Sequence, residues 1–229
     1  MTLIDAVAAA FGLLWSGDAG LWRIVWVSLS TSLLALLVAT PLAIGAAYLI
    51  ASRTFLGRRV VIWLTQVSLS IPTVLIGLLL YLLLSRHGPA GALHWLFAQP
   101  GLVLGQILIA LPVLIAFMLA ALQGADPALA ETAIVLGASR WRVMRTVLQE
   151  VRFGAMVAIV NGFGRVISEV GCALMVGGNI AGDTRTITTA IALETSKGEF
   201  AQGIALGMVL IALALIVNAG LLRLQGDLR

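Results

Sequence analysis

ETAIVLGASRWRVMRTVLQEVR, residues 131–152, decides how this chain must be laid out. It carries four arginines (Arg140, Arg142, Arg145, Arg152) and two glutamates (Glu131, Glu150), yet it stands between two long apolar runs. Charge of that density is too costly for hydrocarbon, so the stretch must lie in water beside a membrane that its neighbours cross. Just upstream, Asp126 precedes Pro127, the pattern of an N-cap followed by proline at the first helical position. Helix-forming Ala, Leu and Glu follow, and Gly137-Ala138-Ser139 then interrupts the pattern. The segment 123–152 therefore reads as a short helix, a glycine turn and a second helix that opens near Ser139 and runs on into the next span. Such a unit presents a rigid knob to a soluble partner.

The flanking composition agrees. The chain is 61% hydrophobic and only 10% charged, with mean hydropathy +1.08, where a soluble domain carries about 25% charged residues. Ile24–Ile50, Val60–Leu84, Leu102–Leu122, Phe153–Val176 and Ala201–Leu222 are each close to or above the ~20 residues a helix needs to cross ~30 Å of hydrocarbon. They lack the alternation of barrel strands, and only helices satisfy their own backbone in lipid. Leu3–Trp15 is apolar but short, contains Asp5 and ends at Ser16-Gly17-Asp18. Residues 1–20 are thus expected to form an interfacial segment, with Trp15, Trp22 and Trp26 near the headgroups. The start shows no basic, apolar and small-residue leader pattern, so the first span is expected to direct insertion. The expectation is all-α: a polytopic bundle of five spans plus the N-terminal interfacial helix, in one domain over residues 1–229.

Charge sets the orientation. With the N-terminus outside, Arg53, Arg58, Arg59, Arg140, Arg142, Arg145, Arg152, Arg223 and Arg229 all face the cytoplasm. Arg23, Arg86, Arg185 and Lys197 face outward, and Arg165 lies within a span. Nine against four is a positive-inside bias. The net charge of +4 thus reports orientation, not a nucleic-acid partner.

Several function classes are excluded or weakened. His87 and His94 have no glutamate at zincin spacing, and the lone lysine, Lys197, sits in Ser-Lys-Gly, which is not a P-loop. No enzyme site, metal site or cofactor is expected. Cys172 cannot form a disulfide within the chain. A secondary transporter favours internal repeats, which five spans do not supply, and a channel has no need of the charged knob.

The residues of the knob also carry a resemblance. Glu131, the small pair Thr132 and Ala133, and Gly137 resemble the EAA---G loop of ABC-importer permeases, on which an ATP-hydrolysing subunit docks. By that resemblance Glu131, Thr132, Ala133, Gly137, Ala138 and Arg140 form the docking surface. The family's closing Ile-x-Leu-Pro element is replaced by Thr146-Val147-Leu148-Gln149-Glu150, without the proline. Residues 162–207 resemble the permeases of tungstate importers, and less closely those of molybdate importers, in which an Arg-x-x-x-Glu span precedes an Asn-Ile-x-Gly-x-Thr-Arg-Thr loop. Here these are Arg165/Glu169 and the loop from Asn179 to Thr186. The resemblance implies a tungstate or molybdate importer made of a permease homodimer, two ATPase subunits and an external binding protein. Another tetrahedral oxyanion is the alternative within the class.

Two regions are candidate parts of the pathway. Arg165 and Glu169, with Ser168 and Asn161 nearby, make the fourth span the most polar. Spacing of four puts the two charges on one face, so they read as a structural ion pair or as a gate. The external segment 177–200 offers Asn179, Thr184, Arg185, Thr186, Thr188 and Thr189 as donors to a tetrahedral anion, or as a surface that only docks the binding protein. Thr186–Ser196 is apolar enough for a helix but too short to span.

Overall fold

Alanines at four-residue spacing along the first long helix organise the bundle. In the computed structural model, which describes residues 3–226, α1 (Leu3–Trp15) leads into α2 (Ala19–Ser52). Asp18 caps α2 by accepting the Leu21 N–H at 2.7 Å. Ala35, Ala39, Ala43 and Ala47 are each at most 1% exposed. Ala39 and Ala43 pack with Ala110 and Leu114, and Ala47 packs with Met118, Leu119 and Leu122. Those partners belong to α5 (Gln99–Gln123). Small side chains let two backbones approach closely, which is how helices associate in lipid. Arg58 closes the other end of α2, donating to the Ile50 carbonyl at 2.7 Å.

Among the described residues, α2, α5 and α11 (Phe200–Gly226) are the three unbroken helices long and apolar enough to cross a membrane. The other two expected spans are not continuous. Val60–Leu84 divides into α3 (Arg58–Ser68) and α4 (Thr73–Leu84), which meet at 97°. Pro72 supplies the reason, because proline has no N–H and disfavours helical backbone at the residue before it. Leu69, Ser70 and Ile71 accordingly donate to carbonyls three residues back, at 3.0–3.3 Å. Phe153–Val176 divides into α8 (Arg152–Ile167) and α9 (Gly171–Gly177), bent by 61°. With each bent pair counted once, five spans remain. Pro41 and Pro112, by contrast, lie inside α2 and α5 without ending them.

α4 and α9, the second halves of the two broken spans, press together. A Cβ on Gly77 of α4 would meet the Cys172 Cα of α9 at 2.8 Å, so only glycine fits that crossing. Leu80, Leu84, Ile109, Cys172 and Val176 form the core around it. The segment expected on the cytoplasmic side folds as α6 (Pro127–Val135) and α7 (Arg140–Glu150). α7 does not continue into α8, as the sequence suggested. It stops at Val151 (φ −88°, ψ 15°), although no proline stands there. The segment expected outside forms α10 (Ile187–Lys197), one residue displaced from its expected bounds.

α1 has thirteen residues, too few to cross. Ala6 and Ala10 turn inward while Ile4, Phe11 and Trp15 stay exposed, and Ala10 joins the core that Leu21, Ile187, Ala205 and Leu206 build. Leu33 and Leu37 of α2, Leu79 and Leu82 of α4, and Ile211 and Leu215 of α11 point outward. Arg229 of the expected basic tail lies outside the described residues.

Candidate functional site

The knob formed by α6 and α7 is built by local rules. Asp126 Oδ1 accepts the Ala128 N–H at 2.9 Å, and Pro127 occupies the first helical position. At the other end of α6, the Gly137 N–H reaches the Ile134 carbonyl and the Ala138 N–H reaches the Ala133 carbonyl, both at 2.9 Å. This is a Schellman ending, which places Gly137 in the left-handed region (φ 78°), where a Cβ is disfavoured. Ser139 then begins α7, whose Val143 turns inward and is 6% exposed. Glu131, Thr132, Gly137 and Arg140 are exposed, while Ala133 and Ala138 are half-buried in the angle between the helices.

That angle is a groove of about 450 Å³, lined by Leu129, Thr132, Ala133, Leu136, Ala138 and Arg142 among others. Ile134, Val135, Leu136 and Trp141 lie 62–86% exposed at its tip. Large apolar side chains bared on a charged segment mark a contact surface. Sequence reasoning did not place Leu136 or Trp141 on the docking surface. Their apolar or aromatic character inside the arginine-rich stretch was the available signal.

In the bilayer region, Arg165 and Glu169 do meet. Arg165 Nη1 lies 3.1 Å from Glu169 Oε2. Their surroundings differ: the Arg165 side chain is 37% exposed and that of Glu169 only 3%. Glu169 lies beyond the end of α8, and its Oε1 accepts the Cys172 N–H at 3.0 Å, satisfying a free donor of α9's first turn. It therefore serves as a pair partner and as a helix cap. Arg165 lines a cleft of about 510 Å³ together with Asn161, Gly164, Ser168 and Asn218.

The donors of residues 179–189 are largely committed to holding their own loop. Thr184 is fully buried, donates to the Gly177 carbonyl and accepts the Ile180 N–H. Thr186 and Thr189 form a reciprocal capping box at the start of α10. Thr188 donates to the Glu169 carbonyl at 2.6 Å, tying α10 to the break between α8 and α9. Arg185 donates to the carbonyl of Asn179, itself in the left-handed region at φ 52°. In this conformation the structure groups these residues as a loop scaffold, and it keeps them apart from the Arg165 cleft.

Known proteins share this architecture. Two crystal structures of bacterial alginate ABC transporters contain chains with the same fold, at TM-scores of 0.74 and 0.73 and 23% and 22% identity. They cover 91% and 93% of this chain, and 79% and 82% of theirs. A probable anion ABC transporter permease of Haloferax volcanii is 39% identical, over 84% of this chain and 85% of its own. The tungstate uptake system permease of Campylobacter jejuni is 36% identical, over 94% and 90%. A tungstate uptake system permease of Peptoclostridium acidaminophilum is 30% identical, over 98% and 99%. The family model described as the inner membrane component of binding-protein-dependent transport systems matches residues 39–226. With its apolar helices and this match over most of its length, the chain is a multi-pass membrane protein of the binding-protein-dependent transport system inner membrane component family, a transport subunit and not an enzyme.

Proposed function

We propose that this chain is the permease of an ATP-driven importer that brings tungstate, and the chemically similar molybdate, into the cytoplasm. The observation that carries the ATP-driven part is the knob, an arginine-rich helix pair whose tip bares Ile134, Val135, Leu136 and Trp141 around a formed groove. An ATPase subunit of complementary shape covers this surface, with Glu131, Thr132, Ala133, Gly137, Ala138 and Arg140 at the contact. Two copies of the chain assemble around one pathway, with two ATPases below and an external oxyanion-binding protein above. The N-terminus is outside and the C-terminus cytoplasmic. Support for the substrate comes from the tungstate permeases matched over 94% and 98% of the chain, which includes the external loop.

The test is ATP hydrolysis by the assembled complex with its binding protein. Tungstate and molybdate should stimulate it, and stimulation by neither would overturn the substrate reading. Glu131→Lys and Gly137→Val should insert normally but lose co-purification of the ATPase and oxyanion uptake. At Gly137 a Cβ meets nothing within 4 Å, so the damage comes from φ alone, about 1–2 kcal/mol of strain. Gly137→Asn, which tolerates that region, should retain the ATPase. Normal co-purification and uptake in both Glu131→Lys and Gly137→Val would remove the docking assignment.

A further inference from the structure

The exposed face of α8 differs in chemistry from the exposed faces of the other spans. α2, α4 and α11 turn leucine, isoleucine and valine outward. α8 instead exposes Asn161, Gly164 and Ser168, with Arg165 partly exposed among them. Positions 161, 164, 165 and 168 share one helical face, so they form a polar strip about 10 Å tall. Asn218 of α11 lines the same cleft. Asn161 is nine residues past the start of α8, and Asn218 is eight before the end of α11. Both therefore sit about 12–14 Å from the cytoplasmic helix ends, well inside the ~30 Å hydrocarbon layer. Lipid would leave such a strip unsolvated, so its natural surrounding is a water-filled passage.

The hydrogen bonds suit a passing anion. Each asparagine amide donates one N–H to the carbonyl four residues back, Val157 for Asn161 and Ala214 for Asn218, both at 2.8 Å. An amide nitrogen carries two N–H groups, so one remains for a ligand in the cleft. The Ser168 hydroxyl is turned back to the Gly164 carbonyl at 2.7 Å and can rotate outward. Arg165 lines the cleft, whereas Glu169 does not and has both carboxylate oxygens engaged. A guanidinium without a counter-charge would grip a dianion tightly, and a pathway must release what it binds.

We infer that the Asn161–Arg165–Ser168 strip and Asn218 form the oxyanion-conducting wall of the permease, with Glu169 a positioning residue that holds Arg165 and weakens its grip on the anion. This rests on the importer reading above. The ligand class is a tetrahedral oxyanion dianion. Amide and guanidinium donors read that shape and charge and do not separate tungstate from molybdate, so the choice between the two is made outside this wall.

The assembled permease–ATPase complex in proteoliposomes provides the test. A negatively charged methanethiosulfonate reacts with thiols in water and not in lipid. Asn161→Cys and Asn218→Cys should be labelled, and millimolar tungstate should slow labelling severalfold. Leu37→Cys on the outward face of α2, away from the cleft, and the buried native Cys172 should stay unlabelled. In uptake assays the charge-neutral Arg165→Gln/Glu169→Gln variant should fall at least tenfold at wild-type assembly with the ATPase. Should that variant not assemble, Asn161→Leu/Asn218→Leu, which disturbs no ion pair, should show the same loss. Labelling of Asn161→Cys as poor as Leu37→Cys, or uptake within twofold of wild type in the assembled variants, would overturn the inference. Failure of the importer reading looks different, because wild-type vesicles would then take up no oxyanion at all.

Discussion

Glu169→Gln isolates the energetic role of the ion pair. In the native protein one carboxylate oxygen holds Arg165 at 3.1 Å and the other holds the Cys172 N–H at 3.0 Å. Glutamine keeps the size but can satisfy only one of these donors. If its oxygen stays on Cys172, its NH₂ faces the Arg165 Nη1 and two donors oppose each other. If the amide flips, the Cys172 N–H faces the NH₂ instead. One buried bond is lost in either case, and a hydrogen bond to a charged group is worth about 1.5–3 kcal/mol. Arg165 is more than a third exposed, so water takes up part of its stranded charge. The expected loss is therefore near the lower end, about 2 kcal/mol. For a chain of this size that lowers the unfolding midpoint by about 4–8 °C. The assay is thermal unfolding of the detergent-purified permease–ATPase complex, run on Glu169→Gln, Arg165→Gln and the double variant. The double variant should recover at least half of the loss, because no unpaired ion remains. A midpoint within ~1 °C of wild type for Glu169→Gln, or a double variant less stable than Glu169→Gln alone, would refute this account.

Two other expectations follow from packing and charge. Gly77→Val should destabilise by about 1–3 kcal/mol, because its Cβ meets the backbone of Cys172 at 2.8 Å, whereas Gly220→Ala meets nothing within 4 Å and should stay within about 0.5 kcal/mol; the same unfolding assay compares them, and equal midpoints would count against the α4–α9 crossing. For topology, Ala92→Cys should react with an impermeant thiol reagent from outside intact cells and Val135→Cys only after permeabilisation, and the reverse pattern would invert the proposed orientation.

Much of the architecture is legible along the chain because it depends on local chemistry. Five apolar runs, an arginine-rich island and a proline-led helix start are properties of neighbouring residues. The Asp126 cap, the Gly137 turn and the α10 helix accordingly appear close to where the sequence places them. The breaks were less legible. Pro41, Pro72 and Pro112 look alike in sequence, yet only Pro72 ends a helix. Two consecutive residues of the α8–α9 break, Ser168 and Glu169, both bond back toward the helix end, and the Glu169 carboxylate then starts α9. That depends on where a side chain points.

The sequence by itself determined that this is a five-run membrane chain with a charged segment between its third and fourth runs, because hydrophobicity and charge act on each residue wherever it is placed. Only the tertiary structure decided which polar groups are available. It consumed Thr184, Thr186, Thr188 and Thr189 inside the loop before α10 and the first turn of that helix. It also brought Asn218 into the same cleft as Asn161 and Arg165, from a helix far along the chain. Burial and hydrogen bonding are set by what packs alongside, so a donor's freedom to meet an anion is a property of the fold and not of its residue type.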